Sequence, residues 1–492
     1  MLTLTEAADQ IRTRRLSPVE LTREFLARIE RLDPVLNAFI TVTGDLALEQ
    51  ARLAEGEVRA GNYRGPLHGI PIGLKDLLDT AGVRTTAASN QFRERVPAED
   101  AALVGQLKRA GAVIVGKLNL HEFAFGVSGI VSAFGAAKNP WNPERITGGS
   151  SSGSAAAVAA GMCVAAVGTD TAGSIRCPAA LCGIVGHRPS PGLLSAKGII
   201  PLSRSFDTAG PMTRTVRDAA VLLQGLSGSP VAVSLGESVS RLKVGVPRKG
   251  FFDGMQPNVQ SCIEEALAVI RGLVAEVRDV QLDVRWHRTI FNAEICEYHE
   301  EMVKTHPELY DPRTLPRILQ CAGIRATDYI RARRDLAAER AAALELFAHV
   351  DVVVTPTVPV TAPRISELEP LEASELRSFE TNYLMRNTAP FSVLYWPTVS
   401  VPCGFTGERL PVGIQISSKP GTDATVLRLA HAYEEATEWH KQSPRTEDSE
   451  ERKAKIPRTP VQAPTLSRIH SSLPPESHLS ERQSRLRLRH HG

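Results

Sequence analysis

The sequence lacks the features that mark membrane proteins and small disulfide-rich proteins. Its longest apolar run, at 155–168, has 14 residues and is rich in alanine and glycine, whereas a membrane span needs roughly 20. The seven cysteines are an odd number and contain no Cys-x-x-Cys pair, which argues against a disulfide framework and a zinc site. Glu6 and Asp9 precede any apolar run, so we expect no secretory signal. The cysteine usage is typical of a reducing compartment, and we expect a cytoplasmic protein that does not bind a membrane.

The chain also lacks a dominant charge of either sign. With 42% hydrophobic and 23% charged residues, its composition is that of an ordinary globular protein. The net charge of +3 arises at the C-terminus, because 11 Lys and Arg against 6 Asp and Glu lie from Lys441 onward. The remaining 46 basic and 48 acidic residues leave the rest of the chain almost neutral. We therefore expect no nucleic acid to bind the body of the protein.

The 492 residues contain no internal repeat, and their length allows either about three domains or one large α/β domain. Short apolar segments predict strands, and longer amphipathic segments predict helices. Alternation of the two favours an α/β domain around a largely buried sheet. The predicted strands are 70–74, 112–115, 164–167, 242–246, 350–354, 398–401 and 412–416, and the clearest predicted helices are 18–32, 259–274 and 329–347.

Two stretches rich in glycine and serine are candidate catalytic loops. The first, GGSSSGS at 148–154, precedes a helix-forming run of alanines, and a loop of this kind presents free N–H groups and hydroxyls. It contains a formal Gly-x-Ser-x-Gly match centred on Ser151. A nucleophile elbow requires a buried strand directly before it, and 139–144 reads as a turn rich in proline and asparagine. The elbow is therefore the less favoured interpretation.

The second stretch, GTDTAGSIR at 168–176, follows a predicted strand and ends in Ser174 before a short predicted helix. Successive N–H groups across such a turn can converge on one point, as an oxyanion hole requires. A serine nucleophile needs a base, and Lys75 leaves the end of a buried strand, where desolvation would lower its pKa. A structural turn and a snorkelling lysine remain the alternatives. His121, His187 and His440 lack the context of a catalytic base, and we expect them to be core or surface residues.

These residues, with several flanking motifs, resemble the amidase signature family over residues 1 to about 441. The strongest match is GGSSSGSAAAVAAG at 148–161, continued by GTD at 168–170 and GSIR at 173–176. Flanking matches are GLKD at 73–76, the segment 111–117, EFA at 122–124, NPW at 139–141, VPCG at 401–404 and LPVGIQ at 410–415. The resemblance implies an α/β amidase-signature fold, in which α-helices cover both faces of a central mixed β-sheet.

The resemblance assigns roles to particular residues. Ser174 matches the nucleophile, Ser150 the bridging serine after a cis peptide bond, and Lys75 the terminal base of a Ser–cis-Ser–Lys triad. The backbone N–H groups of the nucleophile and of the three residues before it, Thr171, Ala172 and Gly173, match the oxyanion hole. Three further residues match positions that hold the loop together, namely Ser151, Asp170 and Arg176. No metal and no cofactor are implied.

Four residues depart from the common family pattern: Ala172 and Ser152 replace glycines, His187 an apolar residue and His121 an acidic one. A positive φ at Ala172 would cost about 1–2 kcal/mol. We expect none of the four to touch the triad, so that they affect the range of substrates and leave hydrolysis intact.

The function implied by the resemblance is hydrolysis of a small-molecule carboxylic amide, through an acyl-enzyme, to an acid and ammonia or an amine. The alternative is the A subunit of the glutamyl-tRNA amidotransferase, a glutaminase that works with partner subunits. An inactive binding or scaffold protein is a rival of another class, and an intact triad disfavours it. A homo-oligomer is allowed. We expect the segment 242–346 to help shape the acyl pocket.

From about Pro444 the composition changes, and Lys, Arg, Ser, Pro and Glu dominate. We therefore divide the chain into an amidase-signature domain at 1–444 and a basic C-terminal tail at 445–492, which we expect to be disordered. A nucleic-acid-binding arm is the alternative for the tail.

We predict that ending the chain at Pro444 leaves the turnover rate and the Tm nearly unchanged, because 445–492 has no periodic apolar face to bury. Calorimetry and rate measurements on the two chain lengths check this. Loss of the fold on truncation would contradict the interpretation of the tail.

Overall fold

The computed structural model describes residues 1–445, and a mixed sheet of eleven strands runs through this part of the chain. Its spatial order is β1-β3-β2-β6-β8-β7-β12-β13-β11-β9-β10, and β4 and β5 form a separate hairpin. The strands are β1 (Phe39–Val42), β2 (Pro71–Lys75), β3 (Val113–Leu118), β4 (Lys138–Asn139), β5 (Asn142–Ile146), β6 (Ala165–Asp170), β7 (Val185–Arg188), β8 (Thr208–Thr213), β9 (Lys243–Val246), β10 (Glu276–Asp279), β11 (Val352–Pro356), β12 (Thr398–Phe405) and β13 (Pro411–Ser417).

The sheet combines parallel and antiparallel pairs, as expected of the family. Strand β2 is parallel to both β3 and β6, and β9 is parallel to β10 and β11. From β6 through β8, β7, β12 and β13 to β11, successive neighbours are antiparallel. The carboxyl ends of β2 and β6 thus lie at the same edge of the sheet.

Sixteen α-helices accompany the sheet in the described residues. They are α1 (Leu4–Arg12), α2 (Pro18–Leu36), α3 (Gly44–Arg59), α4 (Ala102–Arg109), α5 (Ser152–Ala159), α6 (Arg176–Cys182), α7 (Val216–Ser227), α8 (Arg248–Phe251), α9 (Pro257–Leu273), α10 (Arg288–Thr305), α11 (Leu315–Leu319), α12 (Ala326–Ala343), α13 (Ile365–Leu368), α14 (Ala373–Phe379), α15 (Ala389–Val393) and α16 (Asp423–Glu435). None of the described helices is long and apolar enough to cross a membrane.

The two faces of the sheet pack into different apolar clusters, because successive strand side chains point to opposite sides. In β6, Ala165 and Val167 join the cluster that includes residues of α1, α7, α9 and α16. Ala166, between them, joins the cluster formed with α3, α5 and α6. Helices therefore cover both faces, and the expected fold class is confirmed.

Helix α5 is buried on every side. All eight of its residues, which are small, are buried, so the helix packs closely against its neighbours.

Ser17 caps the longer helix α2, and its Oγ accepts hydrogen bonds from the N–H groups of Val19 and Glu20. Pro18 occupies the first turn and Asn37 ends the helix in the left-handed conformation.

Each strand predicted from the sequence is present, with ends that shift by up to four residues. The largest change is at β12, which continues to Phe405. The predicted turn at 139–144 is present but shorter, because only 140–141 form a turn, between β4 and β5, and 142–144 belong to β5. The predicted tail lies, after its first residue, outside the described part of the chain, as does the suggested nucleic-acid-binding arm.

The start of α5 depends on a glycine for close approach. A Cβ atom on Gly153 would lie 2.2 Å from the carbonyl oxygen of Ala38 and 2.5 Å from the backbone nitrogen of Asn119. The N–H of Gly153 donates to the carbonyl of Asn119 over 2.9 Å. Backbone atoms on both sides leave no flexible neighbour to move.

We predict that Gly153→Ala destabilises the protein by about 1–3 kcal/mol or more, as overpacking of a close-packed site does. Gly44→Ala is the matched control, because the atoms nearest to its Cβ are the Leu26 methyl groups at 3.9 Å. We expect the control to stay within about 1 kcal/mol of the parent. Calorimetry at one scan rate compares the three, and equal Tm values would contradict the prediction.

Candidate active site

Lys75 is the last residue of β2 and is fully buried. Ile72 and Leu74 face the apolar cluster on one side of the sheet, so the Lys75 side chain points to the other side. Its Nζ lies 2.7 Å from Ser150 Oγ and 2.7 Å from Thr169 Oγ1. The buried amine is thus held against two hydroxyl groups and, among the described residues, no carboxylate.

Ser150 lies between β5 and α5, after a cis peptide bond with Gly149, as the resemblance implies. Its side chain is buried. Its carbonyl accepts a hydrogen bond of 3.1 Å from the N–H of His121. The preceding strand β5 lies outside the eleven-stranded sheet and pairs with β4, apart from one isolated bridge between Arg145 and Arg364. The chain here therefore does not leave a central strand as in a nucleophile elbow.

Ser151 joins the two glycine- and serine-rich stretches. Its Oγ lies 3.1 Å from the carbonyl of Thr169 and accepts from the Thr169 N–H over 3.3 Å. Its own N–H donates to the carbonyl of Ser174 over 3.2 Å. These bonds fix the turn of Ser174 relative to the loop of Ser150.

Ser174 lies in the turn between β6 and α6, 2% exposed, and lines a partly open cavity. Gly173 takes the positive φ of this turn, 131°, whereas Ala172 does not. The strain considered for Ala172 is therefore absent. A Cβ on Gly173 would lie 2.1 Å from Thr388 Oγ1, so this position excludes any side chain.

Asp170 organises the same turn from within the protein. Its carboxylate accepts from the N–H groups of Gly173 at 2.9 Å and Ile175 at 3.2 Å. Arg176 donates to it through Nε and Nη2, both at 3.0 Å, and Arg188 lies 3.4 Å away. Burial alone would raise the pKa of Asp170, but the two guanidinium groups outweigh it and hold that pKa well below its usual range.

The predicted oxyanion donors fall into two groups. The N–H of Gly173 is already used by Asp170, which differs from the prediction. Within the described structure, the N–H groups of Thr171, Ala172 and Ser174 have no protein acceptor. These three donors, beside the cavity, can bind a developing oxyanion.

The remaining departures from the family pattern have structural partners. Ser152 Oγ lies 3.4 Å from the Asn119 carbonyl, and His187 lies in β7 with its Nε2 3.1 Å from Asp423. The His121 side chain is buried, and burial lowers its pKa to about 4. Its backbone contact with Ser150 shows that the expectation of no contact with the predicted triad was wrong for this residue.

The electrostatic surroundings of Lys75 favour the neutral amine near physiological pH. Burial lowers its pKa to about 7, while the charges of Asp207 and Asp170 oppose the shift. Asp76, next in sequence, instead lies 3.3 Å from Lys117 and bonds to Thr86. The two neighbouring residues therefore face different groups, as strand geometry predicts.

Sequence reasoning missed Asp207 as an influence on Lys75. Its carboxylate accepts from Thr171 Oγ1 at 2.6 Å and from the N–H groups of Leu202 and Ser203 at 2.9 and 3.1 Å. Burial raises the pKa of Asp207 to about 6. Asp207 lies in a loop just before β8, a strand without an apolar run, so no pattern in the sequence indicated it.

The cavity beside Ser174 has a volume of about 230 Å³. Part of its wall comes from 284–291 and Arg317, within the segment expected to shape the pocket. The other parts come from 124–127, the turn at 171–174, Leu202 and 377–393. Its apolar walls include Phe125, Trp286, Phe291, Met385 and Val393.

Potential metal ligands come together elsewhere, on α16. His431, Glu434 and Glu435 place ligand atoms within 4.8 Å of one another. However, Arg217 Nη2 lies 3.0 Å from His431 Nε2, and both Glu434 oxygens accept from the Val216 N–H. His431 Nε2 and Glu434 thus already have protein partners, so this part of the cluster has the character of a structural contact.

Comparison with known proteins places this geometry in a family. The profile of the family described as Amidase matches residues 20–427. The chain belongs to the amidase family. It is accordingly a hydrolase of amide C–N bonds.

Individual relatives cover nearly the whole chain. The A subunit of the glutamyl-tRNA(Gln) amidotransferase of Geobacter metallireducens is 40% identical over 486 residues, covering 90% of this chain and 98% of the relative. The native peptide amidase of Stenotrophomonas maltophilia is 31% identical with a TM-score of 0.77, covering 90% and 97%. The corresponding A subunit of Thermotoga maritima is 33% identical with a TM-score of 0.72, covering 89% and 95%.

We predict that the acid limb of the amidase rate profile follows the ionisation of Lys75 near pH 7, because only the neutral amine can accept a proton. The rate should rise with pH through this value. In Asp207→Asn the limb should move to lower pH, because the negative charge that raises the Lys75 pKa is gone.

Rate profiles from pH 5 to 9 for the parent, Asp207→Asn and Lys75→Ala check this. We expect Lys75→Ala to lose several orders of magnitude in rate and any residual activity to lack the limb. An unchanged acid limb in Lys75→Ala would identify another group as the base.

Proposed function

We propose that this amidase hydrolyses a carboxylic amide through an acyl-enzyme on Ser174, with Ser150 as the bridging serine and Lys75 as the terminal base. The observation that carries the proposal is the 2.7 Å contact between Lys75 Nζ and Ser150 Oγ in a fully buried setting. A lysine whose pKa burial lowers to about 7 is half neutral at that pH. It can therefore act as a base without a histidine.

The proposed reaction moves one proton along the three residues. Lys75 takes the proton of Ser150 Oγ, Ser150 takes that of Ser174 Oγ, and Ser174 attacks the amide carbonyl carbon. The N–H groups of Thr171, Ala172 and Ser174 receive the negative oxygen. The proton then returns to the leaving nitrogen, the C–N bond breaks, and ammonia or an amine departs. Water resolves the resulting ester to the acid and regenerates Ser174.

The groups around the three residues serve as supports in this proposal. Ser151 positions the Ser174 turn through the Ser174 carbonyl. Asp170, held by Arg176 and Arg188, fixes the N–H groups of Gly173 and Ile175. We propose that these residues position the Ser174 turn, because their polar atoms are already hydrogen-bonded within this network.

The second candidate is the A subunit of a glutamyl-tRNA(Gln) amidotransferase, which the curated relatives favour by name. This version would release ammonia from glutamine and would require partner subunits. The stand-alone version is supported by structural relatives such as the peptide amidase. Both versions share the acyl-enzyme on Ser174.

A substrate screen separates the two candidates. Purified chain without partners should hydrolyse primary or aryl amides if it is a stand-alone amidase. Activity confined to glutamine, and dependent on the other amidotransferase subunits, would favour the second candidate. The seven cysteines, all unpaired in the described structure, support our assignment to a reducing, cytoplasmic setting for either version.

We predict that Ser174→Ala lowers amide hydrolysis by about 10⁴–10⁶-fold, as removal of a serine nucleophile does. A fluorophosphonate probe should label Ser174 in the parent and nothing in the variant, as peptide mass spectrometry can read out. Ser152→Ala is the control, because that hydroxyl contacts the Asn119 carbonyl over 3.4 Å. Labelling at Ser151, or activity within tenfold of the parent in Ser174→Ala, would overturn the assignment.

A further inference from the structure

The cavity beside Ser174 has an unusual balance of charge. Glu380 is its only acidic lining residue in the described part of the chain, against five arginines: Arg285, Arg288, Arg317, Arg377 and Arg386. Because arginine stays protonated in proteins, the lining has an excess of four positive charges. A charge excess of one sign in a concave, partly apolar space attracts ligands of the opposite sign.

Glu380 is not available to a ligand. One oxygen accepts from the N–H groups of Val127 and Ser128, both at 3.0 Å, and from Ser128 Oγ at 2.7 Å. The other lies 3.0 Å from Arg317 Nη2. Glu380 and Arg317 thus neutralise each other within the wall.

Three of the remaining arginines, Arg288, Arg377 and Arg386, have no acidic partner in the described structure, and Arg386 already donates to the carbonyl of Asp253 over 2.6 Å. Within the described residues, no carboxylate lies within 4.0 Å of Arg288 or Arg377. Arg377 is half-buried, and within the described part of the chain its side chain makes a single hydrogen bond, a long one of 3.4 Å to Gln320. Burial lowers the pKa of Arg377, and the positive charges of Arg317 and Arg288 lower it further. Three cations are therefore close together with one carboxylate among them.

We propose that the substrate is an amide whose acyl chain ends in a carboxylate, bound by Arg377 and Arg288 while the amide carbonyl reaches Ser174. This inference rests on the proposed function and names its substrate class. A guanidinium group matches a carboxylate in shape and charge. The apolar walls between the two ends suit a short hydrocarbon chain.

The positive charges of the lining arginines would repel an ammonium group on the acyl chain of the substrate. With Glu380 engaged by Arg317 and by backbone N–H groups, the described lining has no free carboxylate to receive a second cation. Glutaramate, the monoamide of glutaric acid, therefore fits the cavity better than glutamine, which adds an α-ammonium to the same chain. A glutamine-dependent amidotransferase would show the reverse order.

The first experiment compares kcat/KM for glutaramate, its neutral counterpart pentanamide, and glutamine, using the full chain. We expect glutaramate to exceed both by about tenfold or more, as a charge-assisted contact allows. The preference should fall as salt is raised. Equal values for glutaramate and pentanamide, or a preference for glutamine, would overturn the inference.

Variants test whether the arginines carry the preference. Arg377→Gln should lower the glutaramate-to-pentanamide ratio by about tenfold, and Arg377→Lys should recover part of it through charge alone. Arg52→Gln makes the same change of charge at an exposed residue of α3, which does not line the cavity, and should leave the ratio as in the parent. A ratio that does not respond to Arg377→Gln would overturn the assignment.

A binding measurement separates failure of this inference from failure of the proposed function. Calorimetry on Ser174→Ala should detect glutaramate binding that weakens about tenfold when Arg377→Gln is added. Absence of hydrolysis and of probe labelling in the parent would defeat the proposed function. Equal binding of glutaramate and pentanamide, or binding of neither, would defeat the inference whatever the catalytic result.

Discussion

One buried carboxylate, that of Asp170, holds the candidate active site together. It lies at the end of β6 and accepts two N–H groups of the following turn, while Arg176 and Arg188 supply its counter-charge. Removing Asp170 would leave two buried guanidinium groups without this compensating charge, which is far more costly than loss of a surface pair. Arg176 also reaches the Thr388 carbonyl and Ser392 Oγ. Arg176 therefore stabilises both the conformation of the Ser174 turn and the packing of α15 against it.

Lys75 shows the opposite use of burial. No carboxylate of residues 1–445 touches its amine, so desolvation prevails and the pKa falls to about 7. The charges of Asp207 and Asp170 act from further away and limit the fall. Burial therefore has opposite outcomes on the adjacent strands β2 and β6. Asp170 on β6 is ionised at all ordinary pH values, whereas Lys75 on β2 titrates near neutrality.

The sequence predicted the fold class because long apolar segments such as 350–354 and 412–416 form buried strands regardless of detail. It missed β8, whose glycine, proline and threonine residues give no apolar pattern, although β8 lies in the centre of the sheet. The three residues of the proposed triad were accessible through their motifs. Arg188 and Asp207 were not, because their roles depend on strand pairing and loop placement. The use of the Gly173 N–H by Asp170 likewise depends on a local geometry that residue types do not reveal.

The residues proposed for catalysis and most residues that line the cavity lie on different parts of the fold. The first lie on the central sheet and on α5 and α6, where small residues pack too tightly to change, as Gly153 illustrates. The second lie mainly on α10, α11, α14 and the segment after it, where Arg288 and Arg377 have few partners. Substitutions there meet little resistance from the folded core. Selection can therefore adapt such a fold to new substrates through substitutions at a few peripheral positions, while the residues of the proposed reaction stay the same.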